Sequence, residues 1–416
     1  MKEWFRRGVR LPLLKKPASK RPIKRLTGMA KLSIPLGAPN SYRLSVAVGD
    51  AVAVGQSLCD RPDSALCAAD GVFEGVLTVR HPLLGETDVA VIGSITNTAH
   101  PVIQPFTSPD RMTAEELIAA VERARVTDEL DGERLADKLR RLRDVGCDLL
   151  IADAVEPEPY ASSGWVLLRD HAEQVLAGLQ WLAKTIGAKQ YLIALQNKYK
   201  HIHAMEERCG ESHVYAASRL YPVDRYAPPS TDHLASCRIG VQAVYAAYRA
   251  IAEGVPQTET VVTVAGGAVS SPANVIVPIG SSVGDIAKFV GLEQEPETIV
   301  VGDVMTGLAI DTVDMPVMVG VTCLLFIAEP MPIPRQCVGC GRCASVCHAH
   351  LLPYEISREL DNLHYERLPS LRADLCDGCG ACSFVCPATR DVAAAVIRAQ
   401  DIRGDVVFNL GGDDDE

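Results

Sequence analysis

The 416-residue chain lacks an apolar run long enough to cross a bilayer. Its longest, at 317–328, reaches about two-thirds of the roughly 18 residues a span needs and contains Gly320, so it reads as buried strand. No signal-peptide pattern opens it, which argues against an oxidising compartment and a disulfide framework. Positive charge is in deficit: 41 Lys and Arg against 52 Asp and Glu leave a net −11, and nucleic acid is not the expected partner. No Ser-His-Asp or nucleophilic-cysteine constellation can be read. Gly266-Gly267 has no lysine or helix cap at Walker spacing and reads as a turn. His201 and His203, near Glu206, Glu207 and Cys209, lack a defined third metal ligand and read as a solvated helix face. With 48% apolar and 22% charged residues, the chain reads as a globular soluble protein of two to four domains.

Cysteine, by contrast, is plentiful: there are fourteen. Eight fall in two runs, 337–347 and 376–386, each spaced C-x₂-C-x₂-C-x₃-C, the ligand spacing of a two-cluster bacterial ferredoxin. Three thiolates at steps of three wrap one corner of an iron–sulfur cubane; the fourth lies a short turn on, points away and reaches the other cluster. One [4Fe–4S] cluster is therefore expected on Cys337, Cys340, Cys343 and Cys386. The other is expected on Cys376, Cys379, Cys382 and Cys347. Structural zinc would favour two C-x₂-C pairs across a longer loop. Pro387 follows the second run, and His348 stands at the matching place after the first. Gly339, Gly341, Gly378 and Gly380 should supply unhindered amides for bonds to sulfur. Cys59, Cys67, Cys147, Cys209, Cys237 and Cys323 are scattered singly and read as core packing.

Along the chain, residues 1–31 carry eleven Lys or Arg and one acid, Glu3, while the last four residues are Asp413, Asp414, Asp415 and Glu416. The basic leader reads as a solvated arm or as a docking arm for an acidic partner or an anionic membrane face. Residues 32–100 alternate short apolar stretches with turn glycines; in 46–58 Gly49 and Gly55 punctuate a hairpin pattern. A Pro-rich bridge covers 96–112. A helix is expected at 113–125 with a Thr113/Glu116 capping box, others at 132–144, 166–186 and 232–253, and strands at 149–152, 190–195 and 261–265. The alternation makes 110–260 an α/β layer.

The VGDAVAVGQSL stretch resembles the hairpin of biotinyl and lipoyl carrier domains, a barrel-sandwich hybrid fold. The absence of any lysine between Lys31 and Lys138 excludes a carrier role. That stretch, the EPEPY turn at 156–160, TVAGGAVSSPANVIVPIGSSV at 263–283, GDVMTG at 302–307 and the two cysteine runs occur in one order. In this order the chain resembles the C subunit of the Rnf ion-translocating oxidoreductase, and relatives in proline reductase and diol-utilisation systems. The resemblance implies a multidomain α+β protein. Its parts are a barrel-sandwich hybrid, an α/β domain of the kind that binds FMN and NADH, a β-grasp (SLBB-like) unit at 261–330, a ferredoxin-like two-cluster domain at 331–400 and an acidic tail at 401–416.

The family's Gly-rich phosphate loop is missing. At 126–147 the chain offers Gly132 among Asp128, Glu129, Asp131 and Glu133, and 221–235 has no glycine. Without a backbone cradle, FMN and NADH binding is expected to be lost. Asp153, Glu156, Glu158 and Tyr160 match the family's acidic turn, whose shape Pro157 and Pro159 alone could set. The expectation is an electron-transfer subunit with two [4Fe–4S] clusters and no catalytic residues of its own, working with other redox subunits, one of them flavin-bearing. It has no transmembrane segment and is cytoplasmic or peripheral on the inner membrane face. An oxidoreductase that keeps FMN in a rearranged pocket, and a docking module of a redox complex, are the alternatives.

Overall fold

The computed structural model describes residues 7–98, 108–196, 198–222 and 235–402. The start of the leader, part of the 96–112 bridge, most of the 221–235 stretch and the acidic tail from 403 lie outside the described residues. The described chain is mixed α/β with three sheets, and none of its helices is long and apolar enough to cross a membrane.

The first sheet is antiparallel, in the order Leu32–Gly37, Gly85–Asn97, Asp70–His81, Ala51–Val52. The hairpin expected at 46–58 yields only the two-residue strand Ala51–Val52. The reason is a turn made twice. Asp50 Oδ2 accepts from the Ala47 amide at 2.8 Å, and Gln56 Oε1 accepts from the Ala53 amide at 3.0 Å. Gly49 (φ +96°) and Gly55 (φ +83°) supply the left-handed residue each turn requires.

The second sheet is parallel, in the order Val214–Ala217, Gln190–Gln196, Leu149–Ala154, Ser236–Gly240. Helices Ala114–Arg123, Leu135–Val145 and Ser163–Ile186 share one core with it, and the Thr113/Glu116 capping box is present. The helix read over 232–253 divides. Ser236–Gly240 pairs as a strand with Leu149–Ala154, and the helix starts only at Val241. Five residues of edge pairing against a buried strand outweigh the helical pattern of small residues there. The helix runs to Tyr248, continues as a π turn over Arg249–Glu253 and stops at Gly254 in the left-handed conformation. The helix expected from 132 begins at Leu135, because 128–132 folds as an acidic turn.

The third sheet is mixed: Lys24–Arg25, Ala273–Pro278, Glu259–Ala265, Cys323–Ile327, Thr298–Val301, Leu308–Ile310. With helix Val283–Val290 it shares a core with the first sheet, in which Ile34, Phe73 and Ile92 meet Val264, Val275 and Phe326. Of the scattered cysteines, Cys59, Cys67, Cys147, Cys209 and Cys323 are buried and Cys237 is half-buried.

Over residues 8–31 the basic segment is not a free solvated arm; it is built into the molecule. Val9 exchanges two backbone bonds with Tyr221 (2.8 and 2.9 Å), Lys16–Ser19 is a helical turn, and Lys24–Arg25 pairs with Val275 and Ile276. Leu11, Ala18 and Leu26 are buried, so the apolar residues interleaved in the charge block anchor it. A chain beginning at residue 27 should therefore lose about 3–6 kcal/mol from the burial of Leu11 and Leu26 alone. Anaerobic urea unfolding of the two chains checks this; equal stability would make the segment an ornament.

Candidate metal centres and a filled crevice

Each cysteine run makes the same local structure. Gly339 and Gly378 (φ +67° and +72°) turn the chain, and Gly341 and Gly380 (φ +70° and +75°) start the short helices Arg342–Val346 and Ala381–Phe384. The amides of Gly339 and Gly378 donate to the sulfurs of Cys337 and Cys376 at 3.5 and 3.4 Å. Helices Pro353–Asp361 and Val392–Asp401 back the two loops. Cys337, Cys340, Cys343 and Cys386 line one cavity of about 450 Å³. Cys347, Cys376, Cys379 and Cys382 line a second of about 20 Å³. The structure thus brings the fourth cysteine of each run to the first three of the other.

The two groups differ in setting. Cys337 and Cys340 are exposed, whereas Cys379 and Cys382 are buried. Burial pushes the Cys379 and Cys382 thiols up to about 12 and raises those of Cys343 and Cys376. Thiolates so disfavoured by burial need cationic compensation, and the donor set of four sulfurs per cavity fits iron. His348 Nε2 lies 3.1 Å from Asp377 Oδ2, tying the residue after Cys347 to the residue after Cys376. The sequence showed His348 only as a departure from proline; its tie to Asp377 needed the fold.

In open α/β sheets, ligands bind outside the carboxyl ends of the parallel strands. Here that edge is occupied by the chain itself. Lys15, 5% exposed, enters from the N-terminal segment and donates to the backbone carbonyl of Glu156. Trp165 stacks on His201 with ring centroids 3.5 Å apart. What is left between Ala154, Glu156, Leu195, Gln196, Lys198 and these residues is about 20 Å³, against the several hundred a cofactor pocket takes. Burial lowers the pKa of Lys15, with Glu156, Asp303 and Glu158 acting in the opposite direction. Burial also brings the His201 imidazole down to about 4, helped by the nearby Lys198 and Lys15 charges. His201 is therefore half-buried and stacked, in contrast to the solvated position expected, whereas His203 is exposed.

The amide donors that could hold a phosphate are also taken. Glu156 accepts from the Gly164 amide at 2.8 Å and the Trp165 amide at 3.3 Å, at the start of helix Ser163–Ile186. Glu129 accepts from the Gln242 and Ala243 amides at 2.7 and 2.9 Å, at the start of helix Val241–Tyr248. Burial, with Asp128 beside it, pushes the Glu129 carboxyl up to about 8. Asp128 accepts from the Gly240 amide at 3.0 Å and pairs with Lys138 at 2.6 Å, and Lys138 reaches Asp131 at 2.6 Å as well. The acidic turn does not merely repel a phosphate: its carboxylates hold the sites a phosphate would use. These residues do not fit a flavin in that crevice.

Two family models match parts of this chain: that of the 4Fe–4S dicluster domain matches residues 336–390, and that of the Nuo51 FMN-binding domain matches 133–262. Among characterised proteins it is similar to the C subunit of the ion-translocating oxidoreductase complex. That of Serratia proteamaculans is 28% identical over 400 residues, 85% of this chain and 54% of the relative. That of Pseudomonas aeruginosa is 28% identical over 388 residues, 85% of this chain and 49% of the relative. The family resemblance carried by the motifs holds, and the chain spans about half the length of these relatives. A solved NAD+-reducing [NiFe]-hydrogenase chain in the H2-reduced state is matched at a TM-score of 0.47 and 16% identity, over 75% of this chain and 68% of that one. A likeness this loose carries no argument about function.

The Nuo51 match begins at 133, just past Asp128 and Glu129, and includes Glu156. Lys138, the cation buried beside Asp128, gives a test. Lys138→Met strands the buried Asp128 charge and should cost about 3–5 kcal/mol, much of it recovered in the Lys138→Met/Asp128→Asn double variant. Denaturant unfolding of the set checks this; a double variant no more stable than the single one contradicts it.

Proposed function

We propose that the chain is a flavin-free iron–sulfur electron-transfer subunit of an ion-translocating oxidoreductase of the Rnf type. The sorting of the eight cysteines into two four-sulfur cavities carries this reading. Cys337, Cys340, Cys343 and Cys386 hold one [4Fe–4S] cluster; Cys376, Cys379, Cys382 and Cys347 hold the other. The clusters, when bound, supply one-electron transfer. The chain's residues orient the sulfurs, donate backbone N–H bonds to them and shield the second site from water while leaving the first near the surface. The second site abuts the body of the protein, so electrons pass between the second cluster and the surface at Cys337 and Cys340, where a partner can exchange them.

The remaining parts serve assembly in this reading. The antiparallel sheet is the barrel-sandwich hybrid, the six-stranded sheet the β-grasp unit, and both face partner subunits at the cytoplasmic side of a membrane complex. With the crevice filled by Lys15 and the helix starts capped by Glu156 and Glu129, the hydride-to-electron step falls to a flavin-bearing partner. An NADH-oxidising reading would require Lys15 to withdraw and two buried carboxylates to yield their amides.

Anaerobically prepared protein should contain about eight iron and eight acid-labile sulfides. Acid extraction should release little FMN, and NADH should not bleach the clusters. Cys386→Ala should remove the cluster shared with Cys337, Cys340 and Cys343 and bring iron to about four. Near-stoichiometric FMN with NADH-dependent bleaching would overturn the flavin-free assignment, and retention of eight iron in Cys386→Ala would overturn the crossed ligand sets.

A further inference from the structure

Three stretches far apart in sequence meet at one carboxylate. Glu158, from the acidic turn, is 1% exposed. Its Oε2 accepts from the Met305 amide at 2.7 Å, and its Oε1 accepts from the Thr306 hydroxyl at 2.8 Å, both in the 302–307 loop. Oε1 also lies 3.2 Å from the hydroxyl of Tyr221, likewise 1% exposed, and that hydroxyl donates to the backbone carbonyl of Cys379. The Tyr221 proton is thus shared between Glu158 and the turn that carries a cysteine of the second site.

The 302–307 loop touches that turn directly. A Cβ placed on Gly380 would come 2.8 Å from the Met305 carbonyl oxygen, so glycine is needed for the approach as well as for its positive φ. Leu11, Tyr221, Cys379 and Ala381 form one apolar cluster with Val9 and Met305 packed on it. Tyr221 is gripped on its other side by the two backbone bonds to Val9. The first site is more open: Cys337 and Cys340 are exposed, and its run is touched by Arg7, which donates to the Ala344 carbonyl at 3.0 Å, and through Val346, which packs on the same cluster.

We propose that Glu158 is a positioning residue for the second cluster. Through Tyr221 and the 302–307 loop it fixes the Cys379–Gly380 turn, and through its buried charge it holds the second cluster harder to reduce than it would otherwise be. The inference rests on the two-cluster reading above. A buried negative charge near a cluster disfavours the extra electron, and hydrogen bonding around the sulfurs tunes the potential. The carboxylate therefore acts on the electron path without touching iron.

The test is an EPR-monitored redox titration of anaerobic wild type, Glu158→Gln and Tyr221→Phe, with iron counted in each. The second cluster's signal is the one that survives in Cys386→Ala. Glu158→Gln should keep wild-type iron and move that signal's midpoint to higher potential, and Tyr221→Phe should move the same signal. The first cluster's midpoint should stay in place in both. A second signal unmoved in either variant, or both signals moved alike, overturns the inference while the two-cluster reading stands. Wild-type protein lacking two four-iron signals overturns the underlying reading itself. If Glu158→Gln loses its iron, Tyr221→Phe, which removes one hydroxyl, decides the question on the same criterion.

Discussion

Carboxylates of the chain's own acidic residues sit on backbone amides along the carboxyl edge of the parallel sheet, and the arrangement of the molecule follows from where they bind. Glu156 takes the start of helix Ser163–Ile186, Glu129 the start of helix Val241–Tyr248, and Glu158 the Met305 amide in the loop that meets the cluster segment. An amide exposed at a helix start attracts an anion, and a buried carboxylate needs donors. Each need satisfies the other, so the edge is closed from inside.

That closure leaves about 20 Å³ at this edge among the described residues of the segment that the FMN-binding family model matches. The strand–helix framework rests on its own apolar core, from Leu117 and Leu139 to Leu179 and Val244. At the edge, Lys15 arrives from the N-terminus, balanced by the acids around it, and Trp165 and His201 stack across the remaining space. A lysine buried this deeply would be costly alone, and the neighbouring Glu156, Glu158 and Asp303 charges offset that cost.

The same edge anchors the iron–sulfur segment. The acidic turn faces the crevice through Glu156 and the Cys379 turn through Glu158, two residues apart, with Pro157 between them directing the side chains to opposite tasks. The segment is asymmetric as a result. One cysteine group packs against the body, and the other opens to the surface.

Much of this was readable in the residues. The cysteine spacing suggested two sets of four, and the eight cysteines do gather at two cavities; Thr113 with Glu116 marked a helix start because a capping box is local. The missing Gly-rich loop, too, was plain. The helix boundaries at 132 and 232 were misread, because an acidic turn and an edge strand carry helix-compatible residues and only tertiary pairing selects between them. The basic segment looked like a solvated arm because charge dominates its composition, while the buried Leu11, Ala18, Leu26 and Met29 decide its place. Nothing in the sequence linked Glu158, Tyr221, Met305 and Cys379. Their order along the chain and their sequence separations carry no signal of contact, and a hydrogen bond exists only once the sheets have set its donor and acceptor a few ångströms apart. The cysteine spacing, being local, was set by the sequence; the filled crevice and the clamp that brings Leu11 to Cys379, about 370 residues on, were decided by the tertiary structure.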